Sequence, residues 1–115
     1  MHKYKEMEVW KRSVRLAKDI YVVSNKLPKE EVYGLKSQIR RSAVSVPSNI
    51  AEGCGRNSNK QFVQFLQIAQ GSLAELDTQV YLIETLIGIK INQEIKSEII
   101  SIQKILSTLQ KKYKQ

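Results

Sequence analysis

Few side chains in this 115-residue sequence are able to do chemistry: one His (His2), one Cys (Cys54), 11 Asp or Glu and 19 Lys or Arg. A nucleophilic relay needs a His beside its Ser or Cys, and a structural zinc site needs a full set of His or Cys ligands; His2 and Cys54 supply neither. A lone Cys54 forms no internal disulfide either. Glu52 and Glu75 are the carboxylates on which a nuclease reading would rest, yet a di-iron bundle centre is built from Glu-x-x-His motifs, and no His falls within a helical segment. Gly53-Cys54-Gly55 opens like a dinucleotide loop, but Ser58 stands where the third glycine belongs and a helix precedes it. Cys54 lies near a helix end and Arg56, which would lower a thiol pKa; without a His it reads as a small loop residue. Tyr4, Tyr33 and Trp10 have faces for base stacking, although packing and helix-end anchoring suit their positions better. The expectation is a protein with no catalytic residue, no cofactor and no metal.

What remains is charge. The formal net charge is +8 and the sequence pI about 9.7. It is unevenly placed: residues 1–18 sum to +4, 19–35 to −1, 36–60 to +4, 61–98 to −3 and 99–115 to +4. If the fold gathers the basic segments at one end or face, a phosphate-rich partner is attracted over a Debye length of about 8–10 Å. The candidate contacts to RNA or DNA are Lys11, Arg12, Arg15, Arg40, Arg56, Lys60, Lys111 and Lys112; a merely solvating surface is the competing reading. No apolar run reaches the ~18 residues of a membrane span, and Met1-His2-Lys3-Tyr4-Lys5-Glu6 lacks the apolar stretch of a secretory signal, so a cytoplasmic protein with no membrane partner is expected.

The elements that must carry these charges follow from apolar spacing. Trp10, Val14, Ala17 and Tyr21, widened by Leu16, Ile20, Val23 and Leu27, repeat at helical intervals and specify a first helix over about 6–26, ended at Leu27-Pro28. Leu35, Ile39, Ala43, Val46 and Ile50 specify a second over 30–53, with Gly53-Cys54-Gly55 as a left-handed terminator. Ser58-Asn59-Lys60-Gln61 has the form of a capping box and opens a third helix over 58–88, whose interior Gly71 suggests close approach of another helix. Asn92 caps a fourth over 92–113, where Ile95, Ile99, Ile102, Leu106, Leu109 and Tyr113 form a bundle seam. No segment has the period of a strand. Short connections make this a single all-α domain, a left-handed up-down-up-down four-helix bundle.

On the second helix, Gln38, Arg41, Ser45, Asn49 and Glu52 form one polar line. The antiparallel hairpin sets Gln38 and Arg41 beside Ser72 and Glu75, so a buried Arg41–Glu75 pair within a polar network is expected. Alternatively, Arg41, Glu52, Arg56 and Lys60 line a phosphate groove. Val44, Pro47 and Ala51 occupy a further face, and residues 42–51 carry no charge, which implies that another copy of the chain covers them.

The run Gln38-Ile39-Arg40-Arg41-Ser42-Ala43-Val44-Ser45-Val46-Pro47-Ser48-Asn49-Ile50-Ala51-Glu52-Gly53, with Tyr33-Gly34-Leu35, Arg56, Ser58 and Ile68-Ala69-Gln70-Gly71-Ser72-Leu73-Ala74-Glu75-Leu76, closely resembles the 23S rRNA intervening-sequence protein family of bacterial four-helix bundles. The resemblance covers nearly the whole chain and implies a ring-like homopentamer. It also extends to the accessory protein of diversity-generating retroelements, a basic pentamer that binds nucleic acid and a reverse transcriptase. The motif positions carried over are Gln38, Arg41, Ser45, Asn49, Glu52, Gly53, Arg56, Ser72 and Glu75. Two functions follow as expectations: a non-enzymatic oligomeric scaffold binding the nucleic-acid backbone, or a module recruiting a protein partner through a pentamer face.

Overall fold

The computed structural model describes residues 2–31 and 33–114. Four helices carry the fold: α1 (Glu8–Ser24), α2 (Leu35–Cys54), α3 (Asn59–Leu82) and α4 (Gln93–Tyr113), with no strand among the described residues. Each packs antiparallel on the next and α1 also packs on α4, giving an up-down-up-down bundle measuring 44 × 23 × 21 Å.

The core is built from most of the stripes read from the sequence. Leu16 and Ile20 from α1, Ile39, Ala43, Val46 and Ile50 from α2, Phe62, Leu66, Ala69, Leu73 and Leu76 from α3, and Ile99, Ile102 and Leu106 from α4 are buried in one cluster. Trp10, Val14 and Ala17 are only half-buried, and Tyr21 is exposed, so the second of the two α1 stripes faces inward.

Local chemistry sets the helix ends. Ser58 Oγ accepts from the backbone N–H of Gln61 at 3.2 Å, and Asn92 Oδ1 from that of Glu94 at 2.7 Å, so each occupies an orphan donor. After Leu82 the helix widens into a single π turn, Ile83–Ile87, closed by the Gly88 N–H on the Ile83 carbonyl; Gly88 has φ 81°, a left-handed conformation that glycine reaches without strain.

Two boundaries differ from expectation. α1 ends at Ser24, short of Pro28, and α2 begins at Leu35 rather than near 30, because Pro28 opens only a 3₁₀ turn over Lys29–Glu31. Glu31 then caps α2, its carboxylate accepting from the Leu35 N–H at 3.2 Å. The close-approach role also passes from Gly71 to Gly53. Gly53 is no left-handed terminator: it is helical and buried, and a Cβ there would stand 2.9 Å from Phe65 Cβ. It is the close-approach glycine of the α2–α3 seam. Gly71, expected to be that residue, has nothing within 4 Å of its Cβ position.

Candidate nucleic-acid interface

The antiparallel order brings the start of α1, the α2–α3 connection and the end of α4 to one end of the bundle. Aromatic packing ties them together there. The His2 ring lies 4.6 Å from Phe62 and 5.2 Å from Tyr113, Phe62 and Tyr113 meet edge to face at 5.2 Å, and the His2 N–H donates to the Cys54 carbonyl at 3.3 Å. Tyr4 packs edge-on against Trp10 at 5.3 Å, so these rings are engaged within the chain, whereas Tyr33 is 95% exposed.

This end concentrates the charge. Residues 2–11, 52–63 and 105–114 hold eight Lys or Arg and three Glu, against eleven and eight in the rest of the chain. Lys5, Lys11, Lys60, Lys111, Lys112 and Lys114 are exposed and make no ion pair with any described residue. An open groove of about 580 Å³ crosses the end between Lys60 on α3 and Lys114, floored by Val63 and Tyr113 and edged by Asn59, Gln64 and Gln67.

Of the eight candidate phosphate contacts, Lys11, Arg56, Lys60, Lys111 and Lys112 lie at this end. Arg56 is partly engaged, donating from Nη2 to Glu52 at 2.7 Å and resting over the Phe65 ring at 4.6 Å. Three do not belong. Arg12 forms a two-point bond with Glu98, which raises the Arg12 pKa and lowers that of Glu98. Arg15 lies in a groove with Asp19, Glu94 and Glu98, where acidic neighbours counter it. Arg40 lies toward the opposite end, fixed by Ser24 and Asn25. Lys5 and Lys114 are not among the eight candidates, although both lie in terminal segments that each sum to +4 and that an even-numbered antiparallel bundle brings to one end.

The expected polar network is smaller than drawn. Ser45 Oγ and Ser72 Oγ are 2.8 Å apart, and Asn49 Nδ2 donates to Ser45 O at 2.8 Å and to Ser45 Oγ at 2.9 Å. Gln38, Arg41 and Glu75 are exposed, their side chains make no hydrogen bond or ion pair with any described residue, and there is no Arg41–Glu75 pair. The reason is direction. Arg41 faces a groove against α1 with Tyr21 and Lys36, whereas Glu75 borders a groove with Gln38, Thr78 and Gln79 on the α3 side. Nor are Arg41 and Lys60 parts of one phosphate groove, since they lie toward opposite ends. Glu52 and Glu75 are likewise far apart, roughly 15 Å along the axis from the helical rise and the Ser45–Ser72 register.

Pro47 is buried within the chain, leaving Val44 at 42% exposure and half-buried Ala51 from the proposed interface trio. Much of the uncharged 42–51 run is thus covered by α1 and α3 themselves, as Ser42, Ala43, Val46, Pro47 and Ile50 are all buried. Cys54 is also buried, which raises its thiol pKa, and its Sγ lies 3.4 Å from Met7 Sδ. Among the described residues no three His, Cys, Asp or Glu side chains gather as a metal set, and no helix is long and apolar enough to cross a membrane.

Compared with known proteins, residues 5–108 match the family described as 23S rRNA-intervening sequence protein. No curated protein matches the chain.

Proposed function

The chain belongs to the 23S rRNA-intervening sequence protein family, and from that premise we propose that it is a non-enzymatic, self-associating bundle that binds the phosphate backbone of nucleic acid through its basic end. One observation carries the reading: six exposed lysines with no ion-pair partner among the described residues converge where only three Glu side chains stand. Flexible ammonium groups of this kind hold phosphates as point charges and read no base sequence. Affinity then comes largely from counterion release and falls steeply with salt.

Self-association has its own support. On α3, residues 61–74 carry no charge, and they run antiparallel to the uncharged 42–51 of α2. The outer flank of this pair exposes Ile68 at 50% and the open Gly71 beside the Ser45–Ser72–Asn49 bonds. A second copy seated on that flank would repeat the basic end and multiply a weak patch into a multivalent one.

The test is fluorescence anisotropy of labelled RNA and DNA against the purified protein at several salt concentrations. Binding at low salt that weakens as salt rises is expected; no binding even at low salt would overturn the reading. A protein partner is the second reading, favoured by the opposite end, which exposes Val22, Tyr33, Tyr81 and Leu86.

A further inference from the structure

Away from the basic end, the groove between α1 and α2 gathers Tyr21, Lys36, Ser37, Arg40, Arg41 and Val44 around an open volume of about 680 Å³. Among the described residues no carboxylate lines it. Its parts are arranged rather than merely present. Arg40 is locked by Nε on Ser24 Oγ and Nη2 on Asn25 Oδ1, both at 2.7 Å, and its guanidinium lies 4.5 Å over the Tyr21 ring. Arg41 is exposed, and its side chain pairs with no described residue, although carboxylates are available elsewhere on α2 and α3. Lys36 and Arg40 stand one turn apart, like charges that repel across a helix face unless an anion sits between them.

Three cations and the Ser37 hydroxyl match the donor set of a phosphate monoester, for which Arg supplies a planar fork and Lys a point charge. The volume is larger than phosphate needs and falls in the range of small-molecule sites. The remaining wall is apolar, with Tyr21 40% and Val44 42% exposed, and offers a flat group something to rest on. We propose that this groove binds a nucleoside phosphate, its phosphate held by Lys36, Arg40, Arg41 and Ser37 and its base placed against Tyr21 and Val44. The ligand is a free nucleotide or the 5′-phosphorylated end of a strand, which share this chemistry.

Titration of the labelled protein with adenosine 5′-monophosphate, followed by amide chemical shifts, tests this. Shifts are expected to concentrate over residues 36–45, and Arg41→Gln with Lys36→Gln should weaken binding by about tenfold or more while leaving helicity unchanged. Lys60→Gln with Lys111→Gln should not alter it, which separates this groove from the backbone-binding end. A 5′-phosphorylated decamer binding there more tightly than its 5′-hydroxyl form would identify the strand end as the source, and equal binding the free nucleotide. Shifts elsewhere only, or orthophosphate binding as tightly as the nucleotide, would overturn the proposal. So would a change in sedimentation of the Arg41→Gln/Lys36→Gln protein without loss of nucleotide affinity, since the groove would then be a contact between copies.

Discussion

Arg12 and Glu98, 86 positions apart, are joined by two parallel bonds, Nε to Oε2 at 2.8 Å and Nη2 to Oε1 at 2.6 Å. Each side chain keeps somewhat under a third of its surface exposed. This fork closes the bundle, because α1 and α4 are the first and last helices and no connection holds them together. It also removes Arg12 from the cations available to a partner.

Replacing Glu98 by Gln should destabilise the bundle by about 1 kcal/mol, the upper range for a partly exposed pair with two-point geometry, and lower Tm by about 4 °C. Thermal unfolding by circular dichroism checks this. The Arg12 hydrogen bond holds the Glu98 carboxyl below its ordinary 4.5, and the Lys96 ammonium and the Ile91 N–H do the same for Glu84. A depressed carboxylate contributes stability that is full above the unfolded value and is lost as pH falls through the folded one. The native protein should therefore lose stability below about pH 4.5, and the acid limb should be shallower for Glu98→Gln. An unchanged limb would mean that the fork contributes nothing in solution.

Gly53 and Gly71 should respond in opposite directions to alanine. At Gly53 the new Cβ meets Phe65 Cβ at 2.9 Å, Phe62 Cδ1 at 3.2 Å and the Phe62 carbonyl at 3.3 Å, so α2 and α3 must separate. A cost of about 1–3 kcal/mol is expected. At Gly71 the position is open, and alanine should add about 0.5–1 kcal/mol through helix propensity. Urea denaturation of both variants decides it; equal effects would contradict the α2–α3 packing.

These glycines also show where the sequence could be read and where it could not. Ser58 and Asn92 were legible as caps because a cap bonds to a backbone group two or three residues away. The buried stripes of α2, α3 and α4 were legible from period alone. Close approach at Gly53, the burial of Pro47 and the diversion of Arg12 to Glu98 depend on which residue of another helix lies opposite, and spacing within one helix does not contain that information. The basic end lies between the two cases. The charge sums were local, but their meeting required knowing that four helices return both ends of the chain to the α2–α3 connection.

Neutralising that end should change the salt dependence and not only the affinity. Each lysine that holds a phosphate contributes about 0.7–0.9 to the slope of log K against log salt, so Lys60→Gln, Lys111→Gln and Lys114→Gln together should flatten the slope by about 2–3. Arg12→Gln, whose guanidinium is committed to Glu98, should leave it unchanged. Anisotropy titrations across salt concentrations distinguish the two, and a triple variant with the native slope would place phosphate contacts elsewhere.

Self-association can be separated from folding at Ile68. Its side chain is 50% exposed on α3, beside Gly71 and one turn from Ser72, so an aspartate there loses little packing within a chain. Surface changes of this kind stay within about 0.5 kcal/mol for a monomer. At a contact between copies the same change buries a carboxylate with no partner, a cost of several kcal/mol that is repeated at each contact. Sedimentation should therefore show the native chain as an oligomer and Ile68→Asp as a folded monomer. The multivalent part of nucleic-acid affinity should vanish with the oligomer, while the weak affinity of a single basic end persists. Loss of helicity in the same variant would instead assign Ile68 to the interior, and an unchanged oligomer would move the contact off the α2–α3 flank.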